Sequence, residues 1–83
     1  FMETNRVAII SVIVEDTSAT EKLNALLHEY GGGIIGRMGL PYREKGISVI
    51  SVVMDAPQES INALTGKLGM IKGVSAKTLF SKY

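Results

Sequence analysis

Two short runs of β-branched residues constrain the fold of this chain more than any other feature. They span residues 7–14 (VAIISVIV) and 47–55 (ISVISVVMD), and their valine and isoleucine content predicts strands rather than helices. Both alternating faces of the first run are apolar, with Val7, Ile9 and Ile13 on one face and Ala8, Ile10, Val12 and Val14 on the other. A strand that is apolar on both sides is expected to be central in its sheet and covered on both faces.

An amphipathic pattern predicts a first helix at about residues 18–30. Its apolar side chains recur at helical spacing, at Ala19, Leu23, Leu26, Leu27 and Tyr30. Ser18 and Glu21 match a capping box, in which the serine hydroxyl binds the backbone amide three residues later. Gly31 follows, and we expect it to end the helix in the left-handed conformation.

A second helix is predicted to begin at Pro57, because proline favours the first turn of a helix. Its apolar positions are Ile61, Leu64, Leu68 and Ile71. Gly66 and Gly69 lie in its later part, each at a cost of up to ~1 kcal/mol against alanine. Gly73 precedes a last predicted strand at residues 74–80.

A polar connection joins the two middle strands, predicted at residues 34–40 and 47–55. It begins with Pro41 and ends with Gly46, which favours a β-hairpin. The resulting order is βαββαβ, an α+β fold of the ferredoxin-like class with two helices on one face of a four-stranded antiparallel sheet. We expect a single domain over residues 6–82, with residues 1–5 as a disordered N-terminus or a cloning remnant.

The second face of this sheet needs a cover that the two helices do not provide. A chain of 8.9 kDa is expected to expose roughly 4,800 Å² when folded, so only about 63% of its extended surface becomes buried. We therefore predict self-association as a homodimer or homotetramer, because a second copy is the simplest cover for the remaining apolar face.

Composition excludes several classes of function. The chain contains no cysteine and carries a net charge of +1, so disulfides, thiolate metal sites and a broad nucleic-acid surface are not expected. No apolar run approaches the length of a membrane span. A reducing, cytoplasmic setting, with no membrane and no direct nucleic-acid partner, is the natural expectation.

Two motifs are interpreted as structural. Residues 31–36 read GGGIIG, but a dinucleotide fingerprint follows a strand and opens a helix, whereas this one follows a helix and enters a strand. His28 is the single histidine, which leaves no acid, base and nucleophile set for catalysis. We therefore expect no enzymatic activity, no cofactor and no metal, although His28 from two subunits could still share a metal ion.

The hairpin segment carries a family resemblance. Residues 36–51 (GRMGLPYREKGISVIS) and 63–69 (ALTGKLG) resemble the small proteins described as regulators of the iron-only hydrogenase system. That family is related to ACT domains and to the C-terminal domain of the nickel-responsive repressor. The resemblance covers about residues 6–82 and implies a ferredoxin-like regulatory domain that oligomerises through sheet edges or faces.

The resemblance also implies a site for a small effector at a subunit interface. In ACT domains the effector lies against the loop after the first strand, which here contains Asp16, Thr17 and Ser18. The hairpin adds three cations and an aromatic ring, at Arg37, Tyr42, Arg43 and Lys45, which either bind an acidic partner or an anion or form a solvated tip. The residues predicted for effector binding are therefore Asp16, Thr17, Ser18, Arg37, Tyr42 and Arg43. The alternative function is an assembly module for metalloenzyme maturation that binds no small ligand.

Overall fold

The computed structural model describes residues 4–82 and has the predicted βαββαβ order. Its strands and helices are β1 (Asn5–Val14), α1 (Thr20–Glu29), β2 (Ile34–Tyr42), β3 (Ile47–Pro57), α2 (Gln58–Gly69) and β4 (Val74–Phe80). The four strands form one antiparallel sheet in the order β2-β3-β1-β4. The two runs that are apolar on both faces are therefore the central strands, as their composition predicted.

The even-numbered positions of the central strands form the core beneath the helices. Ile10 pairs with Val52 in the antiparallel register, and both are fully buried. The buried core side chains are Ala8, Ile10, Val12, Val14, Ala19, Leu23, Leu27, Ile50, Val52, Met54, Ala56, Ile61, Leu64, Leu68 and Val74. No polar side chain among the described residues is buried with them, so this layer is held by apolar packing.

The opposite side of the sheet, here called the open face, is also largely apolar. It consists of the odd-numbered positions of β1, β3 and β4 and the even-numbered positions of β2 from Gly36 onward. Its large exposed hydrophobic side chains are Val7, Ile9, Ile13, Met38, Leu40, Tyr42, Val49 and Leu79. No element between residues 4 and 82 lies over this face, since both helices pack into the core on the other side.

The start of α1 differs from the predicted capping box. Ser18 lies in a short 3₁₀ turn (Thr17–Ala19), and α1 begins at Thr20 with no side-chain cap. The cap of the turn is Asp16, whose carboxylate accepts the Ser18 backbone amide at 2.9 Å. Because aspartate can close such a local turn on the residue two positions later, it takes the role predicted for the serine.

The left-handed residues also differ from expectation. Gly31 does not have a positive φ; it begins a second 3₁₀ turn (Gly31–Gly33), in which the Gly33 amide binds the Tyr30 carbonyl at 3.1 Å. Positive φ angles occur instead at Gly46 (66°) and Gly73 (83°). Gly46 closes the β2–β3 hairpin after the turn Arg43–Lys45, and Gly73 precedes β4.

The sheet begins slightly earlier than the expected domain boundary. Asn5 is the first residue of β1 and pairs with Pro57, although residues 1–5 were expected to be disordered. Residues 1–3 and 83 lie outside the described residues, so the expectation for the N-terminus is not addressed there. In the part of the chain that is described, no helix is long and apolar enough to span a lipid bilayer.

Replacing Gly73 by alanine is expected to destabilise the fold by about 1–3 kcal/mol, because a side chain at positive φ is strained. A Cβ atom at this position would also lie 2.5 Å from the Asp16 Cβ atom. The matched control is Gly66→Ala in α2, where a Cβ atom meets nothing within 4 Å and should stabilise the helix by about 0.5–1 kcal/mol. Urea denaturation of both variants measures the difference, and equal stabilities would contradict the strain at Gly73.

Candidate functional site

The loop after β1 is a preorganised polar turn. The Asp16 carboxylate accepts both the backbone amide of Ser18 at 2.9 Å and its hydroxyl at 2.7 Å. Both bonds lower the pKa of Asp16, and the bond from the Ser18 hydroxyl has the largest effect. The charge of Lys72 adds a smaller effect in the same direction. The loop therefore presents a stable negative charge with the Thr17 and Ser18 side chains exposed beside it.

Gly73 holds this loop against the start of β4. The Glu15 amide donates to the Gly73 carbonyl at 2.7 Å. This bond continues the pairing of β1 with β4, whose neighbouring pair is Val14 and Val74. The close approach of Gly73 to Asp16 leaves no space for a side chain between them. The backbone contact with Gly73 therefore positions the loop, and the Asp16 side chain closes its turn.

Arg37 belongs to a different surface, between the edge strand β2 and α1. It pairs with the buried Val52, so its side chain extends on the helix side of the sheet. Its guanidinium donates to the Asn24 side-chain oxygen at 3.3 Å. The two residues line a shallow cavity of about 370 Å³ together with Leu27, His28, Gly31 and Ile34.

This cavity combines several hydrogen-bond donors without a carboxylate among its lining residues. Arg37 supplies a planar cationic donor, and the Asn24 amide and His28 imidazole lie on the same side of α1, four residues apart. Such a set suits a carboxylate or phosphate group, while Leu27 and Ile34 offer apolar contact. Asn24 was outside the sequence-based predictions; its position one helical turn before His28 is the signal that could have found it.

The remaining hairpin residues do not join Arg37. Tyr42 pairs with Ile47 at the end of β2 and lies an odd number of residues from Arg37, which places it on the open face. Arg43 begins the hairpin turn, and Lys45 ends it. Thus the six residues predicted for effector binding occupy three places: the loop after β1, the cavity beside α1 and the end of the hairpin.

The loop and the hairpin share one end of the sheet but not one site. Val14 pairs with Ser48 on β3, and Ile47 pairs with Tyr42 on β2, so β3 separates the loop from the hairpin strand. Two strand spacings of about 4.8 Å lie between β1 and β2. A single effector that contacts both groups would need a long ligand or residues from a second subunit.

Metal-ligating side chains are dispersed. Among residues 4–82, no three histidine, cysteine or acidic side chains are arranged so that they could hold a metal ion. His28 lies in the cavity beside Arg37, where the guanidinium would oppose a cation.

Comparisons with known proteins show the family and the fold class of the chain. A family model described as "Iron-only hydrogenase system regulator, putative" matches residues 6–78. The chain is similar to the structure of TM1266 from Thermotoga maritima, with 37% identity, a TM-score of 0.90 and coverage of 94% of this chain and 99% of that one. This agreement confirms the resemblance that the hairpin segment suggested.

Two further proteins share the fold or part of the sequence. An ACT domain from the GTP pyrophosphokinase of Chlorobium tepidum superposes with a TM-score of 0.77 at 19% identity, covering 92% of this chain and 100% of that domain. A protein of Saccharolobus solfataricus named "Putative nickel-responsive regulator" is 31% identical over 74 residues, which is 88% of this chain. The chain spans about half of that relative, 55% of its length. The likeness to the ACT domain confirms the predicted fold class.

The Ser18→Ala substitution is expected to raise the pKa of Asp16, because it removes the hydroxyl donor and leaves only the backbone amide. In the wild type, the lowered pKa means that the Asp16 carboxylate stabilises the fold above its unfolded pKa of about 3.9, a contribution lost as pH falls through the lower folded pKa. An NMR titration of the Asp16 carboxyl carbon measures the shift.

The control for this titration is Thr20→Val, which removes the hydroxyl bond to the Thr17 carbonyl and leaves the Asp16 contacts in place. Its Asp16 pKa should match that of the wild type. An unchanged pKa in Ser18→Ala would show that the hydroxyl bond does not stabilise the carboxylate.

Proposed function

The chain belongs to the family of iron-only hydrogenase system regulators, and from this premise we propose that it acts as a non-enzymatic regulatory module that self-associates through its open face. Its regulatory action then depends on contacts with a second copy and with a small effector, and no chemical step is required. Control of transcription would act through a partner protein or another domain, because the described elements include no helix pair or ribbon suited to a DNA groove.

The observation that carries this proposal is the exposure of apolar side chains on central strands. Val7, Ile9 and Ile13 of β1 are 41%, 40% and 40% exposed, and Val49 of β3 is 39% exposed. These strands have neighbours on both sides, so the exposure comes from the uncovered face rather than from an edge. Contiguous apolar surfaces of this kind are typical of protein interfaces.

The total accessible surface indicates that the single chain buries less of its surface than a typical folded monomer. The chain exposes 5906 Å², compared with the roughly 4,800 Å² expected of a folded monomer of this mass. The edge strand β2 contributes strongly, since Ile35, Met38 and Leu40 are all more than half exposed. A second copy over this surface would bury it and stabilise the small domain.

The proposed effector is a small acidic molecule that binds at the Arg37 cavity. Arg37 makes no ion pair within residues 4–82, and its donors face a cavity without a lining carboxylate. Thr17 and Ser18 from the loop, or Tyr42 and Arg43 from the hairpin, would contact the same molecule only from an adjoining subunit, whereas the charged Asp16 carboxylate would repel an acidic molecule. Because the cavity lies on the helix side of the sheet, an interface through the open face does not by itself bring those residues to it, and an effector site at a subunit interface stays a prediction.

An assembly module without a ligand is the second candidate. It is favoured by the dispersion of the six predicted residues over three places in one chain. In that case the cations of the hairpin would bind an acidic partner protein directly, and the cavity would remain filled by solvent.

Self-association is tested by sedimentation velocity at tens of micromolar protein. We expect the wild type to be dimeric or larger, and Ile9→Lys to be monomeric, because a charge replaces an apolar side chain at the centre of the open face. The matched control is Met70→Lys, since Met70 is 86% exposed at the end of α2 and away from this face. A monomeric wild type would refute the proposed mode of action.

Effector binding is tested by the shift in melting temperature with amino acids, nucleotides, other organic acids and divalent metals at millimolar concentration. We expect one acidic compound to stabilise the protein specifically. Arg37→Gln should abolish that shift, and Lys22→Gln, which removes an exposed cation from α1, should retain it. If no compound stabilises the wild type, the assembly module is the better description.

A further inference from the structure

The open face carries a small number of polar side chains in defined positions. Ser51, Ser11 and Lys77 lie directly opposite one another on β3, β1 and β4, which forms a polar row across an otherwise apolar surface. Asp55 lies on the same face, opposite Val7. Among the described strand positions of this face, Lys77 is the one cation and Asp55 the one acidic group.

These two charges do not neutralise each other within one chain. From the register, Asp55 and Lys77 are two strands and four residues apart, which corresponds to about 10 Å across and about 14 Å along the sheet. Neither side chain makes a hydrogen bond or ion pair in the part of the chain that the structure describes. If a second copy covers the face, each charge would be desolvated without a partner in its own subunit, which is costly.

We propose that the open face is self-complementary, with Lys77 of each subunit paired to Asp55 of a second copy. The inference rests on the proposed self-association and specifies how the two copies meet. One cation and one acid per face give a neutral surface with two equivalent ion pairs, and a two-fold interface repeats each contact in this way. An unrelated partner would need to supply both complementary charges at this spacing.

The same register places the symmetry axis. Ile9 lies on β1, between β3 and β4, and two residues from both Val7 and Ser11. It is therefore midway between Asp55 and Lys77. A two-fold axis that exchanges these charges between facing sheets must run between the sheets at Ile9, so that Ile9 of one subunit contacts Ile9 of the other, with an ion pair on each side.

The two charges also favour one relative orientation of the facing sheets over the others. Apolar side chains alone allow facing sheets to slide or rotate with little change in energy, whereas an unpaired buried charge penalises every arrangement but the complementary one. Ser11 lies beside Lys77 on the neighbouring strand of the same subunit and can accept one of its remaining hydrogen bonds. The Lys77–Asp55 pairs thus specify orientation, and the surrounding apolar residues supply affinity.

Charge reversal tests the pairing. Lys77→Glu places two acidic pairs in the dimer, and Asp55→Lys places two basic pairs, so each variant should raise the dimer dissociation constant by about a hundredfold or more. When the two variants are mixed, the heterodimer contains one native and one reversed pair, both complementary. Sedimentation velocity should therefore show monomers for each variant alone and dimers for the mixture.

The controls are Lys22→Glu and Glu59→Lys, which reverse exposed charges on the helices and should leave the dissociation constant at the wild-type value. Circular dichroism confirms that every variant is folded. A dimeric wild type whose dissociation constant is unaffected by both reversals, or a mixture that stays monomeric, would overturn the pairing and leave the proposed self-association intact. A monomeric wild type would instead refute the proposed function itself.

Cross-linking tests the position of the axis, and the absence of native cysteine makes the result specific. With a short bismaleimide, Ile9→Cys is expected to give a covalent dimer. Ser75→Cys lies on the same face opposite Ile13, so its counterpart should be more than about 20 Å away and the variant should remain uncross-linked. The reverse pattern would overturn the axis at Ile9.

Discussion

The alternation of apolar side chains in β1 is the constraint on which the rest of the structure depends. One set of its side chains forms the centre of the core beneath the helices, and the other set forms the centre of the open face. Because β1 lies between β3 and β4, a shift of β1 by one residue against these two strands would move each set of its side chains to the other face of the sheet. The same strand therefore holds the monomer together and supplies the surface through which it is proposed to associate.

The end of β1 links this core to the polar loop. The Glu15 amide binds the Gly73 carbonyl, and Asp16 closes the turn that leads into α1. Only glycine fits beside Asp16 at this junction, because the backbone has a positive φ and no space for a side chain. The loop is thus held by contacts within the chain itself, at Gly73 and at the Asp16 turn.

Much of the fold could be predicted because its signals are local. Strand periodicity identified β1 and β3 as central, and β4 has the bounds predicted for it. The errors arose where two local patterns compete: Ser18 and Asp16 can both cap the same turn, and Gly31 can either end a helix or begin a 3₁₀ turn. Such cases are decided by side-chain geometry and by the hydrogen bonds of the following residues. Neither can be read from the order of residue types along the chain.

The candidate site was less predictable for a physical reason. Arg37 and Tyr42 are close in sequence, but the pleat of β2 directs them to opposite faces. Asn24 and His28 approach Arg37 only because α1 packs beside the edge strand. Residues from separate elements converge through packing, which the spacing of residues along the chain does not reveal.

The sequence by itself determined which strands are central, that two helices accompany them, and that the sheet has two apolar faces. It could not determine which face the helices cover, because both alternating sets in β1 are apolar. The tertiary structure decides this through the connection from β1 across α1 to the parallel strand β2, for which the right-handed crossover is strongly favoured. That handedness places Ala8, Ile10, Val12 and Val14 in the core and leaves Val7, Ile9 and Ile13 on the open face.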